Sequence, residues 1–81
     1  MGKSRLKTIL AEEDIQIKEL HFATRIPRGT LSAIINGRKP QIENAYAIVE
    51  GLKKLGVKKK FHDVFPNYYS YATLQQFKYR A

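Results

Sequence analysis

The sequence predicts an all-α domain, and three observations predict it. Apolar residues recur at intervals near 3.6. No convincing run of alternation appears before the last fifteen or so positions. Proline, glycine and Asn-Gly fall between the apolar runs, where helices start and stop.

Each element follows from that spacing. Leu6, Ile9 and Leu10 make an amphipathic turn pair, expected as a helix over 4–12. Glu12, Glu13 and Asp14 break it, and Asp14 tolerates a turn conformation. Ile17, Leu20 and Ala23 predict a second short helix over 16–24. Arg25-Ile26-Pro27 interrupts it; proline suits the first turn of a helix, so Pro27 should open a third over 27–36. That helix carries Leu31, Ile34 and Ile35 and stops at Asn36-Gly37. After the basic loop Arg38-Lys39-Pro40 comes a longer helix over 41–55, with Ile42, Ala45, Tyr46, Val49 and Leu52 on one stripe. Glu43 in its first turn and Lys53 and Lys54 in its last suit the helix dipole, and Gly56 ends it. Phe61, Val64 and Phe65 give one more turn pair before Pro66.

The chain has 81 residues, which suits one core and not two. We read residues 1–66 as the domain and 67–81 as an aromatic extension. There is no cysteine, which excludes disulfides, thiolate zinc sites and cysteine nucleophiles. The net charge is +8, from 15 Lys+Arg against 7 Asp+Glu. Such a surplus on a small domain points to a polyanion, above all nucleic acid. No apolar run of signal-peptide or membrane-span length occurs, so no membrane partner and a cytoplasmic location are expected.

Tyr68, Tyr69, Tyr71, Phe77 and Tyr79 crowd into the extension, more than half of the chain's aromatics. Tyr69 and Tyr71 alternate like a strand, whereas Leu74 and Phe77 are spaced like a helix. Ser70 as a cap and Lys78 and Arg80 at the end favour a helix over 71–79. Tyrosine is enriched at interfaces. Tyr68, Tyr69, Tyr71, Leu74, Phe77 and Tyr79 therefore either form a dimerisation surface or cover the fourth and fifth helices.

The informative segment spans residues 15–40: two short helices, a tight turn, and an Asn-Gly stop followed by basic residues. This is the spacing of a helix-turn-helix, in which the first helix braces the second against a groove of duplex DNA. Leu20, Ile26, Leu31 and Ile34 would form the knot that fixes their angle. The segment resembles the Cro/C1-type, or XRE, helix-turn-helix family of phage repressors and small bacterial regulators. The resemblance covers residues 4–65 and rests on Leu20, Thr24, Ile26, Leu31-Ser32, Ile34, Asn36-Gly37, Pro40, Ile48, Leu52, Phe61 and Val64-Phe65-Pro66. It implies a compact five-helix, lambda-repressor-like fold. Three positions depart from the family pattern. His21 stands where the family favours alanine between closely approaching helices. Arg25 stands where it favours glycine with positive φ. Ile17 stands where it favours a phosphate-gripping glutamine.

The expected contacts sort by chemistry. Arg28, early in the third helix, suits a bidentate pair with a guanine edge. Ser32 suits a base or a phosphate, Ala33 a thymine methyl, and Gly29 allows close approach; these four form the expected base-reading face. Gln16, Lys18, Thr30, Asn36, Arg38 and Lys39 are expected at phosphates, setting register and affinity. Lys3 and Arg5 are read as an N-terminal arm. The run Lys58-Lys59-Lys60 is read as a solvated face.

No catalytic residues, cofactor or metal are expected. His21 and His62 lie on different elements, and no carboxylate pair or glycine-rich phosphate loop is evident. Two function classes remain. One is a sequence-specific transcriptional regulator, Cro- or repressor-like, acting on double-stranded DNA as a homodimer. The other is a protein-interaction module on the same scaffold, such as an antitoxin or anti-repressor.

Overall fold

In the computed structural model, the described residues are 5–66 and Tyr68. They contain five helices and no strand: α1 (Arg5–Glu12), α2 (Ile17–Thr24), α3 (Arg28–Ile35), α4 (Ile42–Lys54) and α5 (Phe61–Val64). The observed helices begin one residue later than expected at α2, α3 and α4, because Gln16, Pro27 and Gln41 are extended residues that precede the first turn. None of the described helices is long and apolar enough to cross a membrane.

The first four helices share one feature at their ends. A residue with positive φ follows each: Asp14 at 56°, Arg25 at 64°, Gly37 at 112° and Gly56 at 92°. After α3, Gly37 N–H donates to Ile34 O and Arg38 N–H to Ala33 O, at 3.0 and 2.9 Å. The same crossed pair closes α4 through Gly56 and Val57 and closes α1 through Asp14 and Ile15. This satisfies carbonyls that would otherwise be orphaned and reverses the chain within two residues. The termini thus bring the short helices back onto one another.

The apolar stripes meet in one core. Leu6, Leu20, Leu31, Ala45, Ile48, Leu52 and Val64 are fully buried, with Ile9, Ile26, Ile34, Val49, Val57 and Phe65 beside them. The most extensive helix pairing is α2 on α4. It depends on Gly51: a Cβ there would stand 2.5 Å from Thr24 Cγ2 and 3.4 Å from the Ala23 Cβ. The small residue that lets these helices approach is therefore on α4, not at position 21.

Gly51→Ala should therefore destabilise the domain although alanine is the better helix former. Overpacking outweighs the propensity gain, for a net loss of about 1–2 kcal/mol. Thr24→Ser removes the clashing methyl and keeps the hydroxyl, so Gly51→Ala combined with Thr24→Ser should recover most of the loss. Urea denaturation of the three variants measures this; a Gly51→Ala variant as stable as the parent contradicts it.

Candidate nucleic-acid interface

The turn between α2 and α3 is stapled by side chains. Thr24 Oγ1 donates to Leu20 O at 2.8 Å and accepts Ile26 N–H at 3.1 Å. His21 Nδ1 lies 2.7 Å from Ile26 O. A carbonyl only accepts, so Nδ1 carries the proton. His21 is half-buried, and its ring lies back along the turn to serve as a strut. Arg25 N–H donates to His21 O at 2.7 Å, in the left-handed conformation expected of that position. A non-glycine residue there costs of order 1 kcal/mol. Ile26, at the end of these bonds, is buried with Leu20, Leu31 and Ile34, so the predicted knot is formed.

With its inner side fixed, α3 turns one stripe outward. Arg28, Gly29, Ser32 and Asn36 are exposed, and Ala33 is half-buried between them. Thr30 sits at the edge of the buried side. Arg38 and Lys39 follow on the exposed loop, and buried Pro40 anchors that loop against the domain. Together with Gln41 and Asn44 at the start of α4, Thr30, Arg38 and Lys39 line a cleft of about 270 Å³. Gln41 and Asn44 escaped the sequence reading; their spacing of three at a helix start was the available signal.

Charge reinforces the geometry. Between Glu19 and Glu43 the chain contains no acidic residue, while Arg25, Arg28, Arg38 and Lys39 all lie there and are exposed. Among the described residues the one ion pair, Lys53 with Glu50 at 3.5 Å, is elsewhere. Arg25, Arg28, Arg38 and Lys39 take no part in it.

A family model described as helix-turn-helix matches residues 6–58, well over half of the chain. The chain belongs to the Cro/C1-type, or XRE, helix-turn-helix family. It is a DNA-binding regulator of that family. No curated protein and no solved structure matched the sequence.

Within this helix-turn-helix domain the remaining predicted residues are spread wider. Gln16 and Lys18 are exposed at the start of α2, but Gln16 N–H already donates to Glu19 Oε1 at 2.8 Å. That carboxylate occupies the positive end of the helix. Ile17 is half-buried and packs on the core instead of reaching outward. Arg5 is the exposed first residue of α1 and Lys3 lies outside the described residues. Lys58 and Lys60 are exposed between α4 and α5. Tyr68 packs against Phe61 and Phe65; Tyr69, Tyr71, Leu74, Phe77 and Tyr79 lie outside the described residues, as does the expected helix over 71–79.

Gly29 is unexplained by folding. A Cβ on it would meet nothing within 4 Å, and its φ is not in the left-handed region. A glycine in a helix without a steric need destabilises it. Gly29→Ala should raise unfolding free energy by about 0.5 kcal/mol, measured by urea titration; a loss of stability would show that the fold itself requires glycine there.

Proposed function

We propose that this regulator is a sequence-specific repressor of the phage or prophage type, occupying an operator with the outward stripe of the helix spanning 27–36. The observation that carries the reading is that stripe: exposed, free of acidic neighbours, begun by Arg28 and followed by Arg38 and Lys39. Arg28, Ser32 and Ala33 meet base edges, and Gly29 lets the helix sit deep. Thr30, Asn36, Arg38 and Lys39, with Gln16 and Lys18 at the other end of the motif, hold phosphates. Regulation follows from occupancy, which excludes or recruits polymerase at the site.

One such helix spans few base pairs, so the protein acts as a homodimer on two half-sites about one helical turn apart. Self-association is assigned to the extension 67–81, through Tyr68, Tyr69, Tyr71, Leu74, Phe77 and Tyr79, of which Tyr68 also packs on Phe61 of its own chain. A second reading, a protein-interaction module on this scaffold, is favoured by Phe22, which is 73% exposed on α2.

Selection of bound sequences from random duplex DNA tests the first reading. Arg28→Ala should change the recovered motif and cost about 1–3 kcal/mol at the parental site. Lys39→Ala should weaken all sites alike and lower the salt slope by about 1. No enrichment of any sequence by the parent chain would favour the second reading. Removing residues 67–81 should convert the dimer to a monomer by light scattering and weaken operator binding; a dimer with unchanged affinity contradicts the role of the extension.

A further inference from the structure

We propose that Tyr68 is a positioning residue for Lys39, holding its ammonium group ready for a backbone phosphate; this rests on the DNA-reading assignment above. The Lys39 Nζ lies 4.7 Å from the centroid of the Tyr68 ring. The two residues are 29 positions apart in the chain: Lys39 lies in the loop after α3, Tyr68 at the last described position after α5.

The ring is itself braced. Tyr68 meets Phe61 edge-on, with centroids 5.5 Å apart and an interplanar angle of 84°. Phe65 flanks it at 6.3 Å, and Tyr68 N–H donates to Phe65 O at 3.1 Å. Phe61 is backed in turn by Tyr46 at 4.7 Å and Phe65 at 5.5 Å. Lys39 therefore rests on an aromatic shelf built from α4 and α5. Its other side borders the cleft with Thr30, Arg38, Gln41 and Asn44.

An exposed lysine must give up several rotatable bonds to grip a phosphate. A ring face that already confines the ammonium reduces that loss. One side of the ammonium faces the ring's negative quadrupole, and the remaining N–H donors stay available to an anion. The ring adds no charge, so it changes affinity without changing the number of counterions released. This separates the roles of the two residues: Lys39 contributes to affinity and to the salt slope, Tyr68 to affinity alone.

The test uses the full chain and the duplex recovered by selection. Binding is measured across a salt series for the parent, Tyr68→Phe, Tyr68→Leu, Lys39→Ala and the Lys39→Ala/Tyr68→Leu double variant. Tyr68→Leu should weaken binding about two- to fivefold with an unchanged salt slope, and Tyr68→Phe should retain parental affinity. In the Lys39→Ala background Tyr68→Leu should add no further loss. An equal loss in that background, a gain in affinity, or no effect overturns the proposal. In DNA-free protein, the Lys39 Hε resonances should be ring-shifted upfield in the parent and Tyr68→Phe and return to ordinary values in Tyr68→Leu. Absence of that shift in the parent also overturns it, without reliance on a variant. Failure of the parent to prefer any duplex sinks the DNA-reading assignment, whereas binding without coupling sinks only the role of Tyr68.

Discussion

Thr24 is gripped from two directions, and the helix-turn-helix depends on that grip. Its hydroxyl donates a hydrogen bond to the Leu20 carbonyl and accepts one from the Ile26 amide. Both bonds hold only with the side chain in one rotamer, and that rotamer sends Cγ2 into α4. The methyl finds room because residue 51 has no side chain. One small residue on a helix far along the sequence thus permits the hydrogen bonds that set the turn between α2 and α3. His21 adds a second strut to the same carbonyl-rich corner. The outward aim of Arg28 and Ser32 is inherited from this corner together with the packing of Leu31 and Ile34 against Leu20 and Ile26.

Much of this was legible because it is local. The recurrence of Leu6, Ile9 and Leu10, or of Ala45, Val49 and Leu52, reports helix faces within a few turns of chain, and these residues are buried, whereas Ile42 and Tyr46, expected on the same stripe of α4, are exposed because they lie at its edge. Asn36-Gly37 and Gly56 mark helix ends because left-handed backbone is a property of one residue and its immediate neighbours. Arg25 was readable as strained for the same reason. Its φ of 64° shows that the chain keeps the left-handed turn and accepts the strain.

What escaped the sequence reading is pairwise and distant. Gly51 looked like any glycine in a helix until Thr24 was placed against it. His21 looked like an obstacle to helix packing, yet its ring lies along the turn and donates to Ile26. The seating of Lys39 on Tyr68 joins residues whose separation no periodicity reports. Gln41 and Asn44 joined the cleft only once Pro40 had folded the loop back. Spacing shows which face a residue occupies, but not which partner meets that face across the core.

The shortness of the elements has a consequence for genetics. Apart from α4 with 13 residues, no described helix exceeds eight, below the length at which a helix persists alone in water. The exposed stripe of α3 around Arg28 therefore exists only as long as the whole core does. Damage to Leu6 or Val64, both fully buried, would abolish that stripe as surely as damage to its own residues. A screen for lost regulation would recover interior positions and surface positions together, and only assays of folded protein would sort one group from the other.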